Sequence, residues 1–284
     1  GHVIWLNEGR IDALTALAGS GPAFILVFYE AMVEGGITRY FAIFDSRQKV
    51  SEVGPVRSAR LYFLDWIQEY GDGLYVHSGG SPQALAAIGP RGIFDGNEFF
   101  RGQYFWRSSD YFAPHNLFIS GENWQKMVEK YGETDNLFTS ERAWKYSSRV
   151  GKTIGENSAV TIPFSVGYEV VWKYDVKNLN YLRSINGRVH IDKDGSEVRA
   201  RNLVLQFTSI GTISNDDKGR QEITTVGTGE AIILKKGSVA YGTWKKNSLT
   251  ARTRFYDANG KEIVFVPGNT WVEVVDANTK VEIK

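Results

Sequence analysis

The first half of the chain alternates apolar runs with helical patterns. Residues 24–29 are continuously apolar, and a second apolar run follows Gly35-Gly36. Such a glycine pair is typical of a tight turn between strands, because glycine accepts positive φ. Residues 58–70 then carry apolar side chains at helical spacing, with Ser58 placed as an N-cap. A hairpin followed by a helix is predicted.

The same alternation continues through the next part of the chain. Residues 74–77 predict a strand, residues 79–81 a turn, and Pro82 a helix that opens at its first position. A further helix is predicted near residues 121–131, where apolar side chains recur on one face. Alternating strands and helices of this kind predict a layered α/β domain.

After about residue 150 the pattern changes to short strands rich in Val, Ile, Tyr, Phe and Trp. Turn dipeptides separate these strands at Asn186-Gly187, Asp194-Gly195 and Asn259-Gly260. A mostly antiparallel, β-rich domain is predicted here. The chain is therefore expected to have an α+β fold, with an N-terminal α/β domain over residues 1–145 and a C-terminal β-rich domain over residues 146–284.

Composition limits the classes of function. Among 284 residues, 33 Lys and Arg face 32 Asp and Glu, which gives a formal net charge of +1. No bulk field would draw the protein to nucleic acid, so any basic site must be local. The chain has no Cys, which excludes disulfides, thiolate nucleophiles and zinc–sulfur sites.

Several polar residues stand at the ends of the predicted elements of the first half, where ligands bind in α/β sheets. In the segment GPVRSAR, Arg57 and Arg60 fall in the predicted first helical turn, where the helix dipole already presents positive charge. Forked guanidinium donors suit phosphate or pyrophosphate. The candidate binding residues are Arg39, Arg57, Arg60, His77, Arg107, His115 and Asn116.

A structural interpretation competes with this anion site. Pairing of Arg57 or Arg60 with a nearby carboxylate would only brace the fold, and such exposed pairs contribute about 0–1 kcal/mol. The carboxylates within reach in the sequence are Asp45, Asp65 and Glu69. His77 at a strand end is more typical of a structural residue than of a catalytic one.

The sequence contains no motif that predicts a metal or a cofactor. The turn at residues 79–81 lacks the Lys-Ser/Thr of a P-loop, and the four histidines show no metal-binding spacing. Three tryptophans of the second half, Trp172, Trp244 and Trp271, are predicted to pack in the core rather than to form a sugar-binding platform.

Longer motifs carry a resemblance to a known family. The segments EGGITRYFAIF, GPVRSAR, YVHSGGSPQAL and APHNLF, followed by NGRVHID, ARNLVLQF, KGRQEITTVGTGEAIILKKG, GTWKK and PGNTWVEVV, closely resemble the YerB-like family of bacterial lipoproteins over roughly residues 28–284. The resemblance implies two domains of unknown function. It also implies an extracytoplasmic protein, anchored to the cell membrane by a lipidated N-terminus that would precede this sequence.

The start of the chain departs from that family. Residues 3–35, and above all ALTALAGSGPAF, are similar to a segment of the pyrroline-5-carboxylate reductases. No Rossmann fingerprint precedes this segment, so a reductase interpretation has no cofactor site. Apolar residues at helical spacing predict a helix over residues 9–18, ended by Gly19.

A looser similarity of pattern links the first half to LytR–CpsA–Psr enzymes, which hold a polyprenyl pyrophosphate with arginines. By that analogy Arg57, Arg60 and Arg107 would clamp pyrophosphate, while Asp45 or Asp110 would position Mg²⁺ or act as a base. The leading hypothesis is therefore an envelope protein that binds an anionic ligand, such as a phosphorylated cell-wall precursor. The alternative is a non-catalytic adaptor for envelope protein partners, and whether the protein is an enzyme stays open.

Overall fold

The structure is a computed structural model that describes residues 2–7, 27–44, 49–71, 73–132, 143–149 and 158–284, with the backbone alone for residues 2–7. Two predictions lie outside the described residues. These are the helix over residues 9–18 and the role of Asp45.

One mixed sheet of ten strands, within the described part of the chain, joins its N-terminal and C-terminal halves. In spatial order the strands are β19 (Arg254–Asp257), β18 (Ser238–Lys246), β17 (Gly227–Lys235), β14 (Asn202–Thr208), β21 (Thr270–Asp276), β2 (Val27–Met32), β3 (Thr38–Phe44), β1 (His2–Asn7), β4 (Leu74–His77) and β5 (Phe94–Asn97). The halves meet where β2 pairs in parallel with β21. Because β2 also pairs with β3, the junction lies inside the sheet.

A second, smaller sheet covers one face of this main sheet. Its path is β12 (Arg188–Val189), β11 (Asn180–Ile185), β10 (Tyr168–Asp175), β9 (Ala159–Ser165) and β22 (Glu282–Ile283), with β13 (Arg199–Ala200) also paired to β11. Three two-stranded pairs complete the strands: β15 (Ile210–Thr212) with β16 (Gln221–Ile223), β8 (Lys145–Tyr146) with β20 (Val264–Phe265), and β6 (Phe105–Arg107) with β7 (Leu117–Ile119).

The described helices are short, and polar side chains cap several of their starts. They are α1 (Leu61–Ile67), α2 (Pro82–Ile88), α3 (Glu98–Arg101) and α4 (Gly121–Tyr131), with 3₁₀ turns at Gln68–Tyr70 and Gly102–Tyr104. The Ser81 side chain caps α2, and the Ser120 side chain caps α4. No helix in the described ranges is both long and apolar enough to cross a membrane.

Side chains from successive residues of β2 point to opposite faces of the main sheet and enter two cores. On one face Phe28 stacks on Trp271, which also contacts Trp172 of the second sheet. On the other face Tyr29 stacks on Trp66 of α1, with ring centroids 4.8 Å apart. The main sheet is therefore covered on both faces near the junction of the two halves.

The β-rich character is confirmed, and so is the burial of the three tryptophans Trp172, Trp244 and Trp271. The predicted layered N-terminal α/β domain is not confirmed, because its strands continue into the sheet shared with the second half. The domain bounds at 1–145 and 146–284 stay a prediction.

The prediction that Arg57 and Arg60 lie in the first turn of a helix is wrong. Helix α1 begins only at Leu61, and Arg60 is its N-cap residue in extended conformation. The preceding backbone lies beside the segment after β4, where the Ala59 N–H donates to the Gly79 carbonyl at 2.9 Å. These strand-like contacts hold the segment extended, so Arg57 and Arg60 precede the helix rather than occupy its first turn.

Candidate functional site

Two of the predicted arginines converge on a single carboxylate, that of Glu34. Arg39 donates to its Oε1 at 3.0 Å, while Arg60 donates to the same oxygen and, through Nε, to Oε2 at 3.3 Å. Both guanidinium groups belong to almost fully buried side chains. Two guanidinium groups thus share one carboxylate.

A cavity of about 230 Å³ lies beside this pair, between the two halves of the chain. One wall comes from the start of α1 and the turn before α2, and the other comes from the hairpin of β15 and β16. The polar residues that line it are Arg60, Tyr62, Asp65, Ser81, Gln83, Arg220, Gln221 and Glu222. The family resemblance gave no reason to choose this location.

The cavity combines two cations with a hydroxyl group that lacks a partner. Burial lowers the pKa of Arg60, and the guanidinium of Arg220 acts in the same direction, which places both positive charges around one space. Arg220 itself donates to Asp216 at 2.6 Å. The Tyr62 hydroxyl has no hydrogen-bond partner among the described residues, although the residue is only 3% exposed.

Burial also raises the pKa of Tyr62 to about 12, so its hydroxyl keeps its proton at neutral pH. It can therefore donate a hydrogen bond. A buried polar atom without a partner carries a desolvation cost of about 1–3 kcal/mol, which a ligand acceptor would relieve. Together these groups form an anion-accepting set.

The remaining predicted residues gather elsewhere, around the loop that joins β6 to β7. Arg107 bridges Glu98 of α3, at 3.2 Å, and the Asn116 side chain, at 3.0 Å. Arg57 donates to the Pro114 carbonyl at 2.9 Å. His115 follows in the same loop and is half-buried, with its N–H donating to Phe112.

His77 is fully buried beneath this region. Its Nδ1 lies 2.7 Å from the Gly79 carbonyl, its Nε2 lies 2.8 Å from Asp95, and its ring stacks on Tyr75. Both ring nitrogens thus contact protein oxygens. This geometry favours the structural interpretation of His77, since neither nitrogen is left for a ligand.

The seven predicted residues therefore do not line one cleft. Arg60 lines the cavity and Arg39 lies behind it, whereas Arg57, Arg107, His115 and Asn116 belong to the β6–β7 loop region and His77 is buried. Asp110 is exposed in that loop, where its backbone N–H donates to Ser108.

Two of the carboxylates considered as partners of the arginines, Asp65 and Glu69, do not pair with Arg60, and Asp45 lies outside the described residues. Asp65 instead accepts from Arg91 at 2.5 Å and from Thr225 at 2.6 Å. Glu69 is held by residues of the second half, described below, and Arg60 pairs with Glu34. Asp65 and Glu69 both contact residues of the C-terminal half, and no local sequence rule predicts such partners.

The diglycine turn serves packing. Gly79 has φ of +59°, and a Cβ there would come within 3.0 Å of the Phe99 ring. A Cβ at Gly80 would come equally close to Ala59. The absence of side chains lets GPVRSAR and α3 approach the turn from both sides.

Two buried ionic clusters, which the sequence interpretation missed, connect the halves of the chain. In the first, Arg183 donates to both carboxylate oxygens of Glu30 at 2.7 Å, and Trp271 donates to Glu30 at 3.2 Å. Glu273 is the direct neighbour of Glu30 across the β2–β21 pairing and accepts from Trp172 at 2.5 Å. Burial raises the pKa of Glu273 well above its ordinary value, and the charge of Glu30 adds to the effect.

The second cluster surrounds Glu69 just after α1. Its carboxylate accepts from Lys246 at 2.9 Å, from Arg252 at 2.7 Å, and from both the N–H and the hydroxyl of Thr253. Both cations are almost fully buried, and Arg252 also lies over the Trp144 ring at 3.9 Å. The sequence signal for the first cluster is a lone Glu inside an apolar run, as in VFYEAM and TWVEVV.

Comparison with known proteins agrees with the motifs. Residues 18–134 match the family described as "Protein of unknown function (DUF3048) N-terminal domain", and residues 160–272 match the corresponding C-terminal domain. A curated relative, "Putative lipoprotein YerB" of Bacillus subtilis (strain 168), is 32% identical over 256 residues, which are 88% of this chain and 74% of the relative. The crystal structure of the Bacillus subtilis YerB protein matches with a TM-score of 0.80 and 28% identity, over 99% of this chain and 93% of that one.

A second match covers only a short segment of the chain. "Pyrroline-5-carboxylate reductase" of Kluyveromyces lactis is 42% identical over 53 residues, 19% of each protein. That match is confined to a segment, whereas the YerB matches run through both halves. The chain therefore belongs to the YerB-like family and carries both its N-terminal and its C-terminal DUF3048 domain.

Proposed function

We propose that the protein is an extracytoplasmic envelope protein, tethered to the membrane by a lipidated N-terminus, that binds a phosphorylated ligand in the cavity beside Arg60. The word lipoprotein in the name of the Bacillus subtilis relative supports the location. The observation that carries the ligand is that one cavity is lined by Arg60, Arg220 and Tyr62, whose buried hydroxyl has no partner among the described residues.

The two guanidinium groups are well held for this role. Glu34 orients Arg60 and Asp216 orients Arg220, so little side-chain freedom is lost when an anion binds. A phosphate oxygen accepts a charge-assisted hydrogen bond worth about 1.5–3 kcal/mol from each cation. Tyr62 supplies a third, neutral donor.

The size of the cavity limits the ligand. At about 230 Å³ it is smaller than the ~300–1,000 Å³ of sites that enclose drug-sized molecules. It accommodates a phosphate or pyrophosphate group, and the rest of a cell-wall precursor would extend into solvent. Arg57 and Arg107 have no part in this site, in contrast to the clamp drawn by analogy with LytR–CpsA–Psr enzymes.

Calorimetric titration of the protein with inorganic pyrophosphate and with inorganic phosphate tests the proposal. Pyrophosphate should bind the parent protein, and Arg220→Gln should weaken binding at least about tenfold. Tyr62→Phe should weaken it by a smaller factor, because a neutral hydrogen bond is lost. Arg188→Gln, which removes an exposed arginine of β12, is the charge-matched control and should bind as the parent does.

Two results would refute the anion site. One is a parent protein that binds neither anion at millimolar concentration, and the other is an Arg220→Gln variant with the parent's affinity. Either result would favour the alternative function, a non-catalytic adaptor for envelope proteins.

A further inference from the structure

Three phenylalanines protrude from the N-terminal half of the protein. Phe99 and Phe100, on helix α3, are 68% and 79% exposed, and Phe112, in the loop between β6 and β7, is 92% exposed. Ala113 and Pro114 follow Phe112 and are exposed as well. Single exposed apolar residues are common, but several together on one surface indicate an interaction site.

Hydrogen bonds hold these two segments on the same surface. Arg107 reaches Glu98 of α3 and Asn116 of the loop at once, and Arg57 holds the Pro114 carbonyl. The start of helix α3 is also fixed, because the Phe99 N–H donates to the side chain of its N-cap residue, Asn97. The aromatic surface, made of Phe99, Phe100, Phe112, Pro114, Arg57 and Arg107, is therefore built on supported backbone.

We infer that the aromatic surface inserts into the headgroup region of a phospholipid bilayer. Phenylalanine rings that stand out from a surface suit a fluid interface, where each ring can enter among the lipids without a preformed pocket. Arg57 and Arg107 contact the same two segments that carry the rings, and a guanidinium group suits a lipid phosphate. The rings thus suit the apolar part of a bilayer interface, and the guanidinium groups suit its phosphate groups.

The ion pair already present does not prevent this contact. The Arg107 side chain is 47% exposed in its pair with Glu98, and exposed pairs contribute little to stability. A lipid phosphate can therefore take the place of the Glu98 carboxylate. A protein partner would instead be expected to meet a flatter surface with pockets for anchoring side chains.

The inference rests on the proposed function in one respect, the tether that keeps the protein at a membrane. It does not involve the cavity beside Arg60, which is lined by other residues. Membrane docking would fix which face of the tethered protein turns toward the lipid.

Sedimentation with vesicles tests the inference. The protein is mixed with vesicles of phosphatidylcholine alone or with phosphatidylglycerol, and the bound fraction is measured against lipid concentration. The triple variant Phe99→Ser, Phe100→Ser and Phe112→Ser should lower the partition coefficient by about tenfold or more. Arg57→Gln with Arg107→Gln should reduce only the gain that phosphatidylglycerol confers.

Control variants separate the surface from general effects. Val166→Ser and Tyr241→Ser change exposed apolar residues elsewhere and should bind vesicles as the parent does. Arg220→Gln should also bind vesicles normally, and the triple phenylalanine variant should keep the parent's response to pyrophosphate. Circular dichroism and the melting temperature establish that each variant is folded.

The inference is overturned if the folded triple variant sediments with vesicles as well as the parent does. It is equally overturned if the parent stays in the supernatant at all lipid concentrations, in which case a protein is the better occupant of the surface. Failure of pyrophosphate binding alone would refute the proposed ligand site and leave the vesicle result standing.

Discussion

The same substitution at two buried glutamates should have opposite consequences for stability. Glu69 and Glu273 are both inaccessible to solvent, and both sit where the N-terminal half meets the C-terminal half. Replacement by Gln preserves shape and removes the ability to carry negative charge. The comparison isolates charge, because size and burial are matched.

Glu69→Gln should be strongly destabilising. The carboxylate is the counter-charge for Lys246 at 2.9 Å and for Arg252 at 2.7 Å, and both cations are buried. A glutamine offers one acceptor oxygen and adds a donor that faces other donors. Removal of one partner from a buried ion pair costs about 3–5 kcal/mol, and two stranded cations place the loss toward the upper end. That is a large part of the ~5–15 kcal/mol that keeps a domain folded.

Glu273→Gln should be nearly neutral. Burial and the neighbouring Glu30 raise the pKa of Glu273 well above its ordinary value, which favours the protonated side chain in the folded protein. A glutamine reproduces that neutral form, and its oxygen can still accept from Trp172. The free energy of unfolding should change by less than about 1 kcal/mol, and Glu30 keeps its pair with Arg183.

Urea unfolding followed by tryptophan fluorescence at pH 7 measures both effects. The difference between the variants should be about 2–5 kcal/mol, with Glu69→Gln the less stable. A second series that starts just above pH 4.5, the ordinary pKa of the group, should find the parent losing stability as pH rises toward the raised pKa of Glu273, and the Glu273→Gln variant losing less. Equal losses at pH 7, or a larger loss at Glu273, would refute the assigned charge states.

Three further predictions concern other parts of the molecule. Burial alone would raise the pKa of Glu69, but Lys246 and Arg252 outweigh it and hold that pKa below its ordinary 4.5. The stability that the ionised Glu69 gives the fold should therefore be lost as pH falls below about 4.5. In urea unfolding at acid pH, the Glu69→Gln variant should show a weaker dependence of stability on pH than the parent. Gly229→Ala should lower the free energy of unfolding by about 1–3 kcal/mol, because the new Cβ would lie 2.6 Å from the Phe207 carbonyl, which already accepts from the Trp244 indole. Gly211→Ala adds a Cβ in open space and should have the melting temperature of the parent. Residues 1–145 and 146–284 produced separately should each fail to give a cooperative unfolding transition, because each lacks half of the shared sheet; a sharp transition in either fragment would contradict this.

Local patterns predicted the elements well where one residue type decides the backbone. The turn at Asn186-Gly187 has positive φ at both residues, as the dipeptide indicates. Helix α4 occupies Gly121–Tyr131 and buries Trp124, in agreement with its apolar stripe. Helix α1 was misplaced at its start because Ser58 looks like a cap, whereas pairing with the segment after β4 keeps residue 58 extended.

The candidate site was only partly predictable, because charge partners are set by the tertiary fold. Arg60 is predictable from its segment, but its partner Glu34 lies in the turn between β2 and β3, and Arg220 comes from the other half of the chain. No spacing rule connects such residues. Glu30 and Glu273 do carry a sequence signal, since an ionisable residue inside an apolar strand is rarely buried without a partner and so predicts a buried ion pair or hydrogen bond.

The position of β21 in the main sheet has a consequence for the order of folding. This strand lies between β14 and β2, so the hydrogen-bonding edge of β2 is satisfied by a segment that the ribosome makes more than two hundred residues later. Contacts so distant in sequence slow folding, because a long loop must close before they form. The central sheet therefore cannot close until residues 270–276 have been made. Until then the edge of β2 that β21 later occupies stays open, and an open strand edge can pair with another chain, so the incomplete chain is prone to aggregate.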